Sequence, residues 1–296
     1  MSGFHAIDLS RLPAPAVVEP LDYETILAAM KADLIGRAPE LEPALALESE
    51  PMVKLLEVCA YRELLIRARV NDAARAVMLA TATGADLDNL AALFGVTRFV
   101  RDPGDPAAAP PVPPTLESDA VFRARAQLAL EGFSTAGPVG AYMFHALSAE
   151  VMVKDVFVDS PVPGEVRVTI LSREGNGTPT APVLAAVAAA LNAQDVRPLC
   201  DLVNVQAATI LTYAVDAAIE VFDGPDPALV LAAALAAVTA HVDAAHALGR
   251  DVTLSGLYAA LHQPGVARVT LTSPAAEIVV AATEAAVCTG LTVVLA

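Results

Sequence analysis

Glu50-Pro-Met-Val-Lys-Leu-Leu-Glu-Val-Cys-Ala-Tyr-Arg-Glu-Leu-Leu-Ile-Arg-Ala-Arg-Val-Asn-Asp-Ala-Ala-Arg75, followed by Ala82-Thr-Gly-Ala-Asp-Leu-Asp-Asn-Leu-Ala-Ala-Leu-Phe-Gly-Val96, decides how this chain is built. The stretch reads as one long helix over residues 50–81, a glycine stop at Gly84, and a short helix capped by Asp86 and closed by Gly95. At ~100° per residue, Leu55, Val58, Cys59, Leu65, Ile66, Val70, Ala73, Ala76 and Val77 share one broad face. Leu56, Ala60, Leu64, Ala68 and Leu79 fall outside it. A helix without a clean polar face is buried on several sides, so this one needs neighbours, some of them from other chains. Its predicted interface residues are Leu55, Leu56, Tyr61, Arg62, Leu65, Arg69 and Arg75.

Arg62 and Arg69 stand inside the apolar stripe, seven residues apart. Two readings are open. Their aliphatic stems cover apolar surface while the guanidinium reaches water, or each forks onto a carboxylate of a neighbouring helix, where arginine fixes register more than it adds stability.

Working outward, the 296 residues suffice for a large core in two or more domains. The hydrophobic fraction is 55%, yet aromatics are 4% and tryptophan is absent, so alanine and valine carry the apolar content. The longest apolar run, Ala228–Ala240, falls short of the ~20 residues of a membrane span. Met1-Ser-Gly-Phe-His-Ala-Ile-Asp has no basic start leading into an apolar stretch, so no signal peptide is expected. Together these predict a soluble protein made in the cytoplasm, without a membrane partner. The net charge of −16, from 34 acidic and 18 basic residues, argues against a nucleic-acid binder, which needs a basic face to displace counterions.

Pro13, Pro15 and Pro20 make residues 1–20 an extended arm. Asp22 caps a helix to about Gly36, and residues 21–100 form a helical unit. Six prolines between Pro103 and Pro114 mark residues 101–118 as a linker or exposed loop. Beyond it helices and strands alternate, read as a first α+β unit over 119–223 and a second over 224–296; the fold class is α+β. Strands are expected at Val151–Asp159, Glu165–Leu171, Leu202–Gln206, Tyr213–Phe222, Ala267–Thr272, Glu277–Ala281 and Leu291–Leu295. Between them come helices at Pro182–Asn192, from Asp226 to Leu248, and at Leu254–His262. The helix at Ala141–Leu147 with its following hairpin aligns with Ser255–Leu261 and the strands after it. This alignment suggests an internal helix–hairpin repeat, although any Ala- and Val-rich helix–hairpin aligns comparably.

No catalytic or cofactor-binding pattern emerges: there is no HExxH, GxSxG or P-loop. His241 and His246 lie ~140° apart on a helix, not on one ligating face. Cys59, Cys200 and Cys288 have no zinc spacing, and Cys59 reads as a small hydrophobe on its helix. Gly175-Asn-Gly177 is a hairpin-type turn without the helix opening of a dinucleotide site. Asp86-Leu-Asp-Asn89 lacks the glycine and distal glutamate of a calcium loop.

The chain resembles the baseplate assembly protein J family of contractile phage tails. The resemblance is carried by Ile7–Pro15 with Leu21–Glu24, Lys54–Ala74 with Ala82–Ala91, Phe122-Arg-Ala-Arg125, Glu131–Pro138, Val166–Gly175, Val196-Arg-Pro-Leu199 and Gly249-Arg-Asp-Val252, in the family's order. The proline-rich segment is longer than the family's usual link. The resemblance implies a non-enzymatic wedge protein of the virion tail baseplate, assembled in the host bacterial cytoplasm. Its implied partners are a second copy of itself, a second wedge protein, and the hub or spike and sheath-proximal proteins. Six wedges would close a ring that rearranges to release the contracting sheath. A tailocin or other contractile injection system would use an equivalent component; an enzyme with a dispersed site is the rival from another class. With neither ligand spacing nor a phosphate-cradling loop, the purified chain should hold no metal or organic cofactor. Elemental analysis returning one zinc or iron per chain would contradict this.

Overall fold

The structure, a computed structural model, describes residues 7–134, 137–224 and 226–296. Outside these lie the first six residues of the expected arm with His5, the Thr135-Ala136 pair of the Glu131–Pro138 string, and Pro225 of the Gly224-Pro225 turn. The described residues form two compact units, Ile7–Arg98 with Ser118–Ala126, and Phe99–Glu117 with Gln127–Ala296.

In the helical unit, the Asp22 carboxylate accepts the Thr25 N–H at 3.2 Å and starts α1, Tyr23–Arg37. A short helix α2, Glu42–Leu45, leads to α3, Pro51–Ala76. This long helix stops five residues earlier than expected. The Thr81 hydroxyl donates to the Arg75 carbonyl at 2.7 Å and the chain turns, occupying an acceptor that a continuing helix would use. The next helix, α4, spans Gly84–Ala92 with Thr83 as its N-cap residue. Gly84 therefore opens this helix rather than stopping the previous one, and Asp86 lies in the first turn, where the helix dipole favours a carboxylate. Gly95, at φ 71°, closes α4 as expected, with the Val96 N–H bonded to Ala91 O at 3.2 Å.

The α1–α3 seam buries Ile26, Leu27 and Ala60, with Tyr23, Met30, Leu56 and Leu64 around them. Asn71, 4% exposed, both donates to Glu19 O at 2.8 Å and accepts from Glu19 N at 3.2 Å. One buried amide thus pins the end of the arm onto α3 by satisfying two backbone groups.

Helix α5, Asp119–Leu128, places its first eight residues with the helical unit, where residues from 119 onward were expected in the α+β unit. Arginines explain the difference. Arg98 bridges Asp88 at 2.7 Å and Asp119 at 2.8 Å while its guanidinium lies 4.6 Å from the centre of the buried Phe122 ring. Arg123 donates to the carbonyls of Leu79 and Ala82 at 2.7 and 2.6 Å. Arg125, 5% exposed, reaches Thr97 O at 2.7 Å. Arg123 thus takes up carbonyls at the α3–α4 turn, and Arg125 one beyond α4, that no helix partner satisfies.

Residues 101–116 are mostly exposed and Glu117 is buried, and most of the segment, expected as a linker or exposed loop, belongs to a hairpin. Strand β1, Val100–Asp102, pairs antiparallel with β2, Thr115–Leu116, and Asp105 bridges Val112. The six prolines all fall outside the paired residues, where no amide donor is needed. Gly104, at φ 67°, lets the backbone approach Val112 so closely that a Cβ would lie 2.3 Å from its carbonyl oxygen.

The α+β unit holds two three-stranded sheets. In the first, α6 (Val139–Ala149), β3 (Val153–Asp159), β4 (Glu165–Ser172), α7 (Ala181–Leu191) and β5 (Leu202–Ala207) follow in order. Its strand order is β3-β4-β5, with β3 antiparallel and β5 parallel to β4. The second contains β6 (Thr209–Val221), α8 (Pro227–Ala245), α9 (Leu254–Leu261), β7 (Val266–Ser273) and β8 (Glu284–Leu295), ordered β7-β6-β8. β6, expected to end the first unit, is the centre of the second sheet, and Ala208 alone links the two. Helix α6 with β3 does correspond to α9 with β7, but the hairpin half of the repeat does not. Residues 277–281 contribute only an Ile278–Val252 bridge, and the strand expected at 291–295 is the end of the 12-residue β8. Helix α8 is long and apolar enough to cross a membrane by composition. It buries Val230, Ala234, Val238, Val242 and Ala245, a helical spacing of four and then three residues that makes it the core helix of the second sheet.

Asp119 is held below the ordinary aspartate value of 3.8, chiefly by the hydrogen bond from the Gly84 N–H and further by Arg98. A depressed carboxylate contributes stability that is complete above pH 3.8 and is lost as the pH falls through its lower folded value. Asp119→Asn should therefore destabilise the chain at neutral pH, and the deficit against wild type should shrink below pH 3.8. Arg98→Ala should cost about 2–4 kcal/mol, because two carboxylates lose their shared partner. Urea unfolding across pH measures both.

Candidate protein interface

Helix α3 turns its two sides in opposite directions. The residues outside the main apolar face, Leu56, Ala60 and Leu64, pack on α1. The main face itself is open: Leu55 is 63% exposed, Val58 57%, Leu65 49%, Ile66 65%, Val70 48% and Val77 70%. At ~100° per residue these side chains fill one continuous arc with the exposed Cys59 and Ala73. Monomeric proteins rarely leave a contiguous apolar surface of this kind uncovered.

Arg62 and Arg69 lie on the midline of this arc, both exposed, and neither forms an ion pair or hydrogen bond with a described residue. The other cations of α3 have partners. Lys54 pairs with Glu57 at 2.9 Å, and Arg67 with Glu63 and with Glu19 of the arm. The hydrogen bonds that Arg67 donates to Glu63, with the charge of Glu19, raise the Arg67 pKa above its ordinary value. Arg75 pairs with Asp72 at 3.6 Å, and it projects away from the arc. Of the interface residues read from sequence, Leu55, Arg62, Leu65 and Arg69 share the open arc and Tyr61 flanks it, 55% exposed. Leu56 faces α1.

The residues that sequence reasoning passed over are Arg98, Asp88 and Asp119. Their separation in sequence, 10 and 21 residues from Arg98, gave no local pattern to find. Among the described residues no three His, Cys, Asp or Glu side chains converge to hold a metal ion. His241 and His246 serve packing: the first abuts Gly256, and the second binds Ala286 O through Nδ1 at 2.8 Å.

Comparison with known proteins gives three consecutive family matches. They are the Baseplate J-like N-terminal domain over residues 48–105, the Baseplate J-like central domain over 134–207, and the Baseplate J-like protein C-terminal domain over 213–294. The central match ends just before Ala208, where the first sheet ends, and the C-terminal match begins at residue 213, inside β6. Over 293 residues, 97% of each chain, the sequence is 50% identical to baseplate protein J of Escherichia phage P2.

If α1 covers the structural side of α3 and the other side awaits a partner, substitutions on the two sides should differ. Ala60→Leu, forced into a site with 0% exposure, should cost about 1–3 kcal/mol. Ile66→Ser on the open arc should change stability of the isolated chain by only about 0.5 kcal/mol. Equilibrium unfolding of the two variants measures this.

Proposed function

The chain belongs to the Baseplate J-like family, and on that premise we propose that it is a structural wedge component of a contractile phage tail baseplate. In this reading it acts by assembly and conformational change, without catalysis. The observation that carries the proposal is the open apolar arc of α3 with two unpaired arginines on its midline. Covering one such leucine or isoleucine in a helical bundle contributes about 1.5–3 kcal/mol. Arg62 and Arg69 then set which helix fits and in what register, since a carboxylate must meet each guanidinium as it leaves water.

The bundle partners are a second copy of this chain and a second wedge protein. The α+β units join wedges into a sixfold ring around the hub and spike, and the ring passes the contraction signal to the sheath. The protein is made and assembled in the host bacterial cytoplasm and ends in the virion tail. The apolar arc of α3 that α1 leaves uncovered supports the bundle half of this reading. The rigid link at Ala208, described below, suits an element that transmits force.

Arg62→Glu and Arg69→Glu should each block wedge assembly while the α+β unit still folds. Electron microscopy of tails from a complemented deletion, with circular dichroism of the purified variants, reads this out. Normal baseplates from both variants would remove α3 from the interface.

A further inference from the structure

The two sheets of the α+β unit meet in a polar cleft of about 450 Å³. Its walls are held rigid. The Asp155 carboxylate accepts the Leu248 N–H at 2.9 Å, and Leu171, Ala208 and Ala285 form a small buried cluster with Ile210 and Leu248. Gly177, at φ 98°, sits against the His246 ring so tightly that a Cβ would lie 2.8 Å from Nε2.

Two β-bulges open onto the cleft. In β3 the pairing skips from Val153 to Asp155, leaving Lys154 as the bulged residue. In β8 it skips from Cys288 to Gly290, leaving Thr289. Bulges re-aim side chains and end strand pairing, and both bulged residues line the cleft. Lys154 is half-buried and makes no ion pair or hydrogen bond with a described residue. Burial lowers its pKa, against the opposing pull of Asp243. Arg173 stands beside it, anchored by Nε on Val151 O at 3.0 Å. Next to Cys288 across the sheet, Tyr213 is 8% exposed and its hydroxyl has no hydrogen-bond partner, an unmet buried polar group.

The β8 edge completes the site. β8 pairs only with β6 in its sheet, and the Leu248 segment covers its other edge as far as Ala285, with His246 on Ala286 O. From Val287 to Leu291 that edge lines the cleft. An extended peptide that adds to such an edge gains main-chain hydrogen bonds, and a pocket beside it selects the side chain.

The geometry points to this cleft as the docking site of an extended acidic peptide segment from another baseplate chain, its backbone on the β8 edge and its carboxylate on Lys154. A carboxylate suits the charges better than a phosphate. Lys154 and Arg173 supply two cations, while Asp243 and the C-terminal end of α8 oppose a dianion. The inference rests on the assembly reading above, because the segment comes from another chain.

Lys154 is the single lysine of the α+β unit, Lys31 and Lys54 being in the helical one. Acetylation at limiting reagent, mapped by mass spectrometry, should modify Lys154 in the purified chain and at least tenfold less in assembled tails. A zero-length carbodiimide cross-linker applied to tails should join Lys154 to an Asp or Glu of another chain. Lys154→Met should abolish that link. A link to Asp243 alone, equal acetylation in both samples, or protection without a carboxylate link would each overturn the site. Protection of the purified chain by succinate above an equal ionic strength of sodium chloride, with no intermolecular link in tails, would assign the cleft to a free carboxylate and overturn the peptide. Absence of the chain from tails would overturn the baseplate reading itself, so the two failures are distinguishable.

Discussion

A helix with apolar residues on most of its circumference cannot be satisfied by one neighbour, and α3 is such a helix. Helix α1 covers one side, through Ile26 and Leu27 against Ala60. Alanine at position 60 lets the two backbones approach, and the small seam that results is all the chain can supply. The opposite side keeps Leu55, Leu65, Ile66 and Val70 in water. A surface of this composition is tolerated in a folded subunit and is expensive to leave uncovered, which is the energetic argument for association.

The ends of α3 are fixed by polar chemistry. Asn71 holds the arm to it, and Arg123 takes the carbonyls of Leu79 and Ala82 after it. Arg98 closes the arrangement by joining α4 to α5 through two carboxylates and the face of Phe122. Each of these groups is partly or fully removed from water, so each matters more for the cost of leaving it unpaired than for the energy of the pair itself. The result is a helical unit whose open arc is presented on a defined scaffold.

In the α+β unit the same economy appears in the sheets. Each centre strand has one antiparallel and one parallel neighbour, and the single residue Ala208 between β5 and β6 leaves little freedom between them. Bulges at Lys154 and Thr289 interrupt edge pairing at the place where the sheets meet.

Most elements were legible in the sequence because periodicity and caps are local. Asp22 set the start of α1, Gly95 the end of α4, and the β-branched runs at 153–159 and 165–172 named their strands. That α3 is apolar on too many sides was also written in residues 50–80, and with it the expectation of partner chains. Which side faces inward was not. The face with more apolar residues turns outward, because only the tertiary structure supplies α1 as a partner for Leu56, Ala60 and Leu64. The assignment of α5 likewise depended on Arg98 meeting carboxylates 10 and 21 residues away, and residues 277–281, expected as a strand, bridge the distant Val252 instead. Local chemistry therefore determined where helices and strands begin and end, whereas strand partners and helix faces were decided by competition among distant segments for a limited number of places in each layer.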